Sequence, residues 1–437
     1  MAPTASHATL HDWLSRDAIG FDVDSPGSFD AAVDRVVSAL GESVELLGFG
    51  EALHGSEEIL VLRNRLFQRL VEAHGYSAVV IEVTSPQARA MNDYVLGVRE
   101  AGDPAVQAWF GAGFGLLDAN RELLEWMRHY NSKPAHALKL HFFGFDLPLG
   151  EGGPASPSRV LDIALDYLGS VDAPSAKAHR ERVASLVGDS SEWERVGAMF
   201  DPSQSIGSTP KATALRIATL DLITELRIRR PELVAKTGAH AHAEALHHAE
   251  LGRKLLDAHA ALATPGAYAR MLGIRDLIMA DNLEHFVALE GGRGKVLVFA
   301  ATGHLKRSRA QWSLPPGPEV KEWWPAGSQL THSLGPRYAV IGQALGASEE
   351  NGIGQPEPGT LEARLAAAGR ALFIPTHLGR GMPLAEIAAL PVRSGSALNP
   401  TYGALTPESF TEVDWLVFLE STTYPRGAPS LTSWNAG

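Results

Sequence analysis

The amino-acid sequence predicts an α/β protein: a mostly parallel central sheet with flanking helices, and a large inserted α-helical subdomain capping the cleft. Three observations predict it. Short β-branched apolar runs recur along the chain, often beside glycine. The first two runs enclose a segment with helical periodicity, the strand–helix–strand order that builds parallel sheets. Between the third and fourth runs lie roughly 135 residues with helical periodicity and almost no strand pattern, far beyond the dozen or so that one crossover needs.

Taken in order, Val44–Gly50 (VELLGFG) is a short apolar run ending in glycines, as a buried strand would be. A helix is expected from Ser56, which can cap it, with Glu57 and Glu58 at its positive N-terminal end. Ile59, Leu62, Leu66 and Leu70 repeat at helical spacing until Gly75 stops the run. Ser77–Val83 (SAVVIEV), Lys139–Phe145 (KLHFFGF), Lys295–Ala300 (KVLVFA) and Tyr338–Gly342 (YAVIG) read as further strands. Leu372–Pro375 and Asp414–Leu419 (DWLVFL) are additional candidates. After a Gly/Pro/Ser linker at Glu151–Ser158, successive helices are expected at 158–169, 174–187, 211–229, 241–261 and 267–290. The region 345–370 reads as a loop. The expected division is a catalytic α/β core over 1–150 and 291–437, with a helical insertion over 151–290.

Composition narrows the function. With 45% hydrophobic and 20% charged residues the profile is that of a globular domain. The absence of Cys excludes disulfides, thiolate metal sites, a Cys nucleophile and iron–sulfur clusters. A net charge of -12 argues against a phosphate-tracking nucleic-acid binder. The first residues, MAPTASHATLHDWLSRDAIGF, lack the basic and apolar regions of a signal peptide, and no apolar run approaches a membrane span. A cytoplasmic protein acting on a small molecule is expected, with no nucleic-acid or membrane partner.

Several signatures are missing. There is no Gly-x-Ser-x-Gly elbow. Gly291–Lys295 (GGRGK) precedes a strand, so it is not a phosphate loop, and Gly55 is misplaced for a dinucleotide fingerprint after Gly48-Phe49-Gly50. Of two Glu-x-x-His pairs, Glu51/His54 and Glu244/His247, only the second falls in an expected helix, whereas a dimetal bundle needs both there. His240, His242, His247 and His248 lack His-Glu-x-x-His spacing and read as solvent-facing on an Ala-rich helix. No metal and no other cofactor is expected.

Polar residues at the strand ends carry the chemistry. Glu51 and His54 follow the first strand, Glu82 ends the second, Asp146 follows the third and His304 the fourth. Open α/β sheets build their sites at these carboxyl ends. Glu82 interrupts the apolar run VVIEV, and a buried carboxylate must be hydrogen-bonded or paired. It serves either the site or a structural arginine. A working His needs a carboxylate to fix its tautomer and support the imidazolium, and Glu51 or Glu82 could do this for His54.

These residues fall in a family pattern. Gly50-Glu51-Ala52-Leu53-His54, Glu57-Glu58 and Leu62-Arg63 resemble the opening signature of the erythromycin esterase family. Ile81-Glu82-Val83, Leu124–Asn131 (LEWMRHYN), Gly144-Phe145-Asp146, Arg275–Asn282 (RDLIMADN) and Thr302-Gly303-His304 extend the resemblance in family order over about 45–345. The resemblance implies a metal-independent hydrolase that opens macrolide lactones, with an α/β core and helical insertions around a deep cleft. It implies His54 as the general base that activates water, Glu51 and Glu82 as the carboxylates that tune it, and His304 with Arg63 completing the site. Arg63, Asp146, Arg275 and Asn282 are the candidate substrate-binding residues. Many members carry His-Asn before the last Gly/Ala-His, where this chain has Ala301-Thr302. That departure keeps open a tailoring enzyme performing lactonisation, elimination or cyclisation on a natural product. A non-catalytic ligand-binding relative is a further alternative.

Overall fold

The apolar runs assemble into one eight-stranded sheet in the computed structural model, which describes residues 9–150, 153–313 and 320–430. In chain order the strands are β1 (Ile19–Gly20), β2 (Leu46–Glu51), β3 (Tyr76–Thr84), β4 (His141–Asp146), the short pair β5 (Leu149–Gly150) and β6 (Gly153–Pro154), and β7 (Lys295–Ala301). The hairpin β8 (Ala310–Ser313) and β9 (Val320–Trp323) follows, then β10 (Tyr338–Ala347), β11 (Ala371–Pro375) and β12 (Trp415–Ser421). The sheet order is β1-β11-β12-β10-β2-β7-β3-β4. From β12 to β4 every pairing is parallel, while β11 runs antiparallel to both β12 and β1. The mostly parallel α/β sheet is thus the one the sequence predicts.

Before the strand-poor stretch lie α1 (Leu10–Asp17), α2 (Pro26–Leu40), α3 (Glu57–Ala73), α4 (Ser85–Val95), α5 (Pro104–Phe110) and α6 (Asp118–Ser132). Both faces of the sheet are covered, which explains why its strands read as continuous apolar runs. Leu297 and Phe299 of β7 face one side with Leu47, Phe49 and the apolar faces of α3 and α6. Val296, Val298 and Ala300 face the other, with Met279, Leu283 and Phe286.

The strand-poor stretch forms α7 (Ser158–Val171), α8 (Ala173–Val187), α9 (Pro210–Ile228), α10 (Arg230–Thr237), α11 (Ala239–Leu262) and α12 (Tyr268–Glu290). Leu161, Leu165, Leu215, Leu222 and Leu256 give these helices an apolar cluster of their own. The helix α12 also lies on the sheet, through Met279 and Leu283. Among the described residues no helix is long and apolar enough to cross a membrane.

Three expectations need correction. The region 345–370 is not all loop: β10 runs to Ala347, and Thr360 caps a short helix, Leu361–Ala368, by accepting the Ala363 N–H at 3.3 Å. The helix α10 escaped the sequence reading because Pro231 opens it and Gly238 ends it within eight residues. The histidines of α11 do not all face solvent. His242 and His248 are buried, on the carbonyls of Leu226 and Glu244, and His247 stacks on His285 with ring centroids 4.0 Å apart. Alanine neighbours let adjacent helices close over these rings. Of the expected linker, Glu151 and Gly152 lie outside the described residues.

Candidate active site

The end of β2 supplies one charged pair. Glu51, its last residue, is buried, and the chain then turns through Gly55, whose φ of +100° suits glycine, before α3 begins at Glu57. Within that turn His54 Nδ1 lies 2.5 Å from Glu51 Oε1. Distant side chains hold the turn in place. Gln343 Oε1 accepts the Ala52 N–H at 2.7 Å and Thr401 Oγ1 accepts the His54 N–H at 3.0 Å. Asn399 donates to the His54 carbonyl at 2.8 Å, and Asn351 to the Gly55 carbonyl at 2.9 Å. Phe114 meets the imidazole edge-on, with ring centroids 5.8 Å apart.

The ends of β7, β3 and β4 supply the rest. His304 follows β7 in the short turn Thr302–Leu305. Its Nδ1 lies 2.8 Å from Asp276 Oδ1 on α12, and its Nε2 3.4 Å from Glu82 Oε1. The pairing of β3 with β4 slips between Ile81 and Thr84, and Glu82 sits in that irregularity, a common means of re-aiming a side chain. The other Glu82 oxygen accepts the Ala301 N–H at 2.9 Å, and Arg275 reaches Oε1 at 3.1 Å. Arg275 also grips Asp146 with two bonds of 2.8 Å. Close packing of Thr302 on β2 explains the glycine there: a Cβ on Gly50 would come within 2.4 Å of Thr302 Oγ1.

Burial opposes every charge in this cluster, and the partners decide which survive. Burial alone would favour a neutral His54, but Glu51 in contact and Glu82 nearby outweigh it and raise His54 to about 9. Burial likewise pushes Glu51 up. The His54 ring therefore keeps its proton until the pH approaches 9. For His304 burial again opposes the charge, and Asp276 and Glu82 overcome it and raise the ring to about 10. Glu82 lies far below the usual carboxylate range despite its burial, held there first by His304. Arg275, bracketed by Asp146 and Glu82, is raised. Among the described residues no carboxylate contacts Arg63, and burial lowers it to about 10.

The candidate residues therefore divide. Glu51, His54, Glu82 and His304 converge at the sheet edge, with Arg63 beside them. Arg63 spends three N–H groups on Asn64 and Asn120 and lies 4.9 Å over the Phe299 ring. With Glu51, Glu82, Phe114 and Phe299 it lines a recess of about 20 Å³, room for a single water-sized group. Asp146 sits behind, engaged by Arg275, and Asn282 is buried with its amide on the Phe145 carbonyl at 2.7 Å. Sequence reasoning missed Asp276, although Arg275-Asp276 interrupts the apolar pattern of α12 much as Glu82 interrupts its strand. Asn120, Asn351, Asn399, Thr401 and Trp323 give no local signal. Among the described residues no three His, Asp or Glu side chains are grouped as a metal site.

Comparison with known proteins gives consistent matches. A family model described as erythromycin esterase matches residues 71–403. A crystal structure of a Bacillus cereus protein superposes with a TM-score of 0.70 at 18% identity, over 96% of this chain and 98% of that one. A succinoglycan biosynthesis protein gives 0.68 at 17% identity, over 96% and 98%. A mutant of the erythromycin esterase EreC in its open conformation gives 0.65 at 16% identity, over 90% and 94%.

Proposed function

The chain belongs to the erythromycin esterase family, and from that premise we propose that it is a hydrolase opening an ester or lactone of a macrolide-like or polyketide substrate. Water activated by His54 attacks directly, with no covalent intermediate. The observation that carries this reading is the Glu51–His54 pair at 2.5 Å, set across from a second histidine bracketed by two carboxylates.

The two histidines have different surroundings and so different tasks. The His54 side chain is 21% exposed and has, among the described residues, a single carboxylate in contact, whereas His304 is 11% exposed and has carboxylates on both nitrogens. His54 is the ring that water can reach and that can give up its proton. Once neutral, it takes a proton from the attacking water while Glu51 supports the imidazolium that forms. Charge then develops on the carbonyl oxygen of the ester. His304, a standing cation, and the unspent N–H groups of Arg63 are the donors for it. His54 returns the proton to the leaving alkoxide. The helices over 158–290 act as a cap, and α12 within them supplies Arg275 and Asp276 to the site.

Ala301-Thr302, standing where many family members carry His-Asn, favours the second reading, a tailoring reaction of the same site. The relative associated with succinoglycan biosynthesis adds weight to a biosynthetic role. A macrolactone panel incubated in heavy-oxygen water separates the two. Label in a product acid supports hydrolysis, and an unlabelled isomer or dehydrated product supports tailoring.

A further inference from the structure

We infer that Trp323 is a positioning residue of this site: its indole N–H fixes Asp276 on His304 and so keeps His304 a standing imidazolium opposite His54. The part His304 plays in catalysis rests on the esterase reading; the hydrogen-bond argument does not.

Asp276 is fully buried in α12, and three nitrogens hydrogen-bond to its carboxylate. His304 Nδ1 at 2.8 Å and the Ala326 N–H at 2.9 Å share Oδ1, while Trp323 Nε1 reaches Oδ2 at 2.5 Å. An indole N–H and a backbone N–H can only donate, so both oxygens act as acceptors and the His304 bond carries its proton on Nδ1. The other ring nitrogen faces Glu82, whose oxygens already accept from Arg275 and Ala301. With an acceptor at each nitrogen the ring is placed as a cation, in agreement with the upward shift of His304. The charged groups acting on it are Asp276 and Arg275 of α12, Glu82 of β3, and His54.

Trp323 ties this arrangement to a separate element. It belongs to β9 of the small hairpin, outside the main sheet, and its ring packs against the apolar cluster of Ala258, Leu262, Met271 and Leu272. The cluster holds the ring, and the ring holds the carboxylate. Without the indole donor, Oδ2 is a buried acceptor lacking a partner, a state relieved by rotation of the carboxylate. That rotation takes counter-charge away from His304.

The test is a histidine titration by NMR on the full chain, with His304 assigned from the His304→Asn spectrum. Trp323→Phe keeps a ring in the cluster and removes only the donor. The His304 midpoint is expected to fall by about one pH unit or more, while the His54 midpoint moves less. Asp276→Asn should act in the same direction and further. An unchanged His304 midpoint in folded Trp323→Phe overturns the inference. If that variant does not fold, wild-type protein labelled with 5-fluorotryptophan serves instead. One of the nine tryptophan resonances is expected to titrate with the His304 midpoint, and none doing so overturns the inference. The macrolactone assay run alongside separates the two claims. A shifted midpoint in a protein without hydrolase activity keeps the Trp323 role and sinks the esterase reading; hydrolysis with an unmoved midpoint does the reverse. Where both hold, the alkaline limb of kcat moves down with the midpoint and KM stays unchanged.

Discussion

His54 and His304 sit at one sheet edge, and their neighbours set their protons apart. If neutral His54 is the base and cationic His304 the oxyanion donor, kcat/KM rises as His54 deprotonates near pH 9 and falls as His304 deprotonates near 10. A narrow alkaline optimum is therefore expected, and a rate profile that is flat from pH 6 to 10 would contradict the assignment. His54→Gln should cost about 10²–10⁴ in turnover with the fold intact, the usual scale for a general base. The two carboxylates should separate the limbs. Glu51→Gln removes the counter-charge that holds His54 up, so the acid limb moves down. Glu82→Gln chiefly lowers the alkaline limb, because the histidine that Glu82 contacts is His304 and not His54. Much of this was legible in the sequence: Glu51, His54, Glu82 and His304 stand at strand ends. Which glutamate serves which histidine was not, because a strand irregularity turns Glu82 toward α12.

At the scale of elements, the turn after β2 depends on residues far along the chain. Asn399 donates to the His54 carbonyl and to Asn351, and its own carbonyl oxygen accepts from Thr401, which holds the His54 N–H. Asn399→Ala leaves these buried groups unpartnered, at about 1–3 kcal/mol. It should lower kcat more than the global stability loss alone explains, since the turn aims His54. Melting temperature and turnover on that variant decide the matter, and full activity in the folded protein would reduce Asn399 to a loop fastener. No spacing in the sequence links 399 to 54, because a polar loop residue has no periodicity to betray its partner. Strands and long helices were read well for the opposite reason: burial on both faces or on one stripe repeats along the chain. The helices over 158–187 begin and end within a few residues of expectation. Short elements such as α10 and the β8–β9 hairpin carry too few repeats to stand out.

Over the whole molecule, the two Glu-x-x-His pairs lie on different elements, Glu51/His54 after β2 and Glu244/His247 within α11, and Glu244 faces Arg89 at 3.4 Å. Treatment with a chelator followed by desalting should leave melting temperature and activity unchanged; loss of either with a stoichiometric metal would revive a dimetal site. The charge balance of the buried site makes a stronger demand. His54 and His304 titrate at about 6.5 when unfolded, but near 9 and 10 in the folded protein. Their contribution to stability is complete below about 6.5 and is lost as pH rises through the folded values. Glu82 shifts the other way, so its contribution is present above its unfolded value and is lost only in strong acid. The net charge of -12 at neutral pH grows more negative in alkali and adds self-repulsion. Stability should therefore decline from pH 6.5 to 10, through the range where activity climbs to its maximum. Urea unfolding across that range measures the decline directly. In His304→Asn the decline should flatten up to about pH 10, and in His54→Gln only up to about pH 9. A wild-type profile that does not fall with pH would remove the raised histidines, and with them the alkaline optimum.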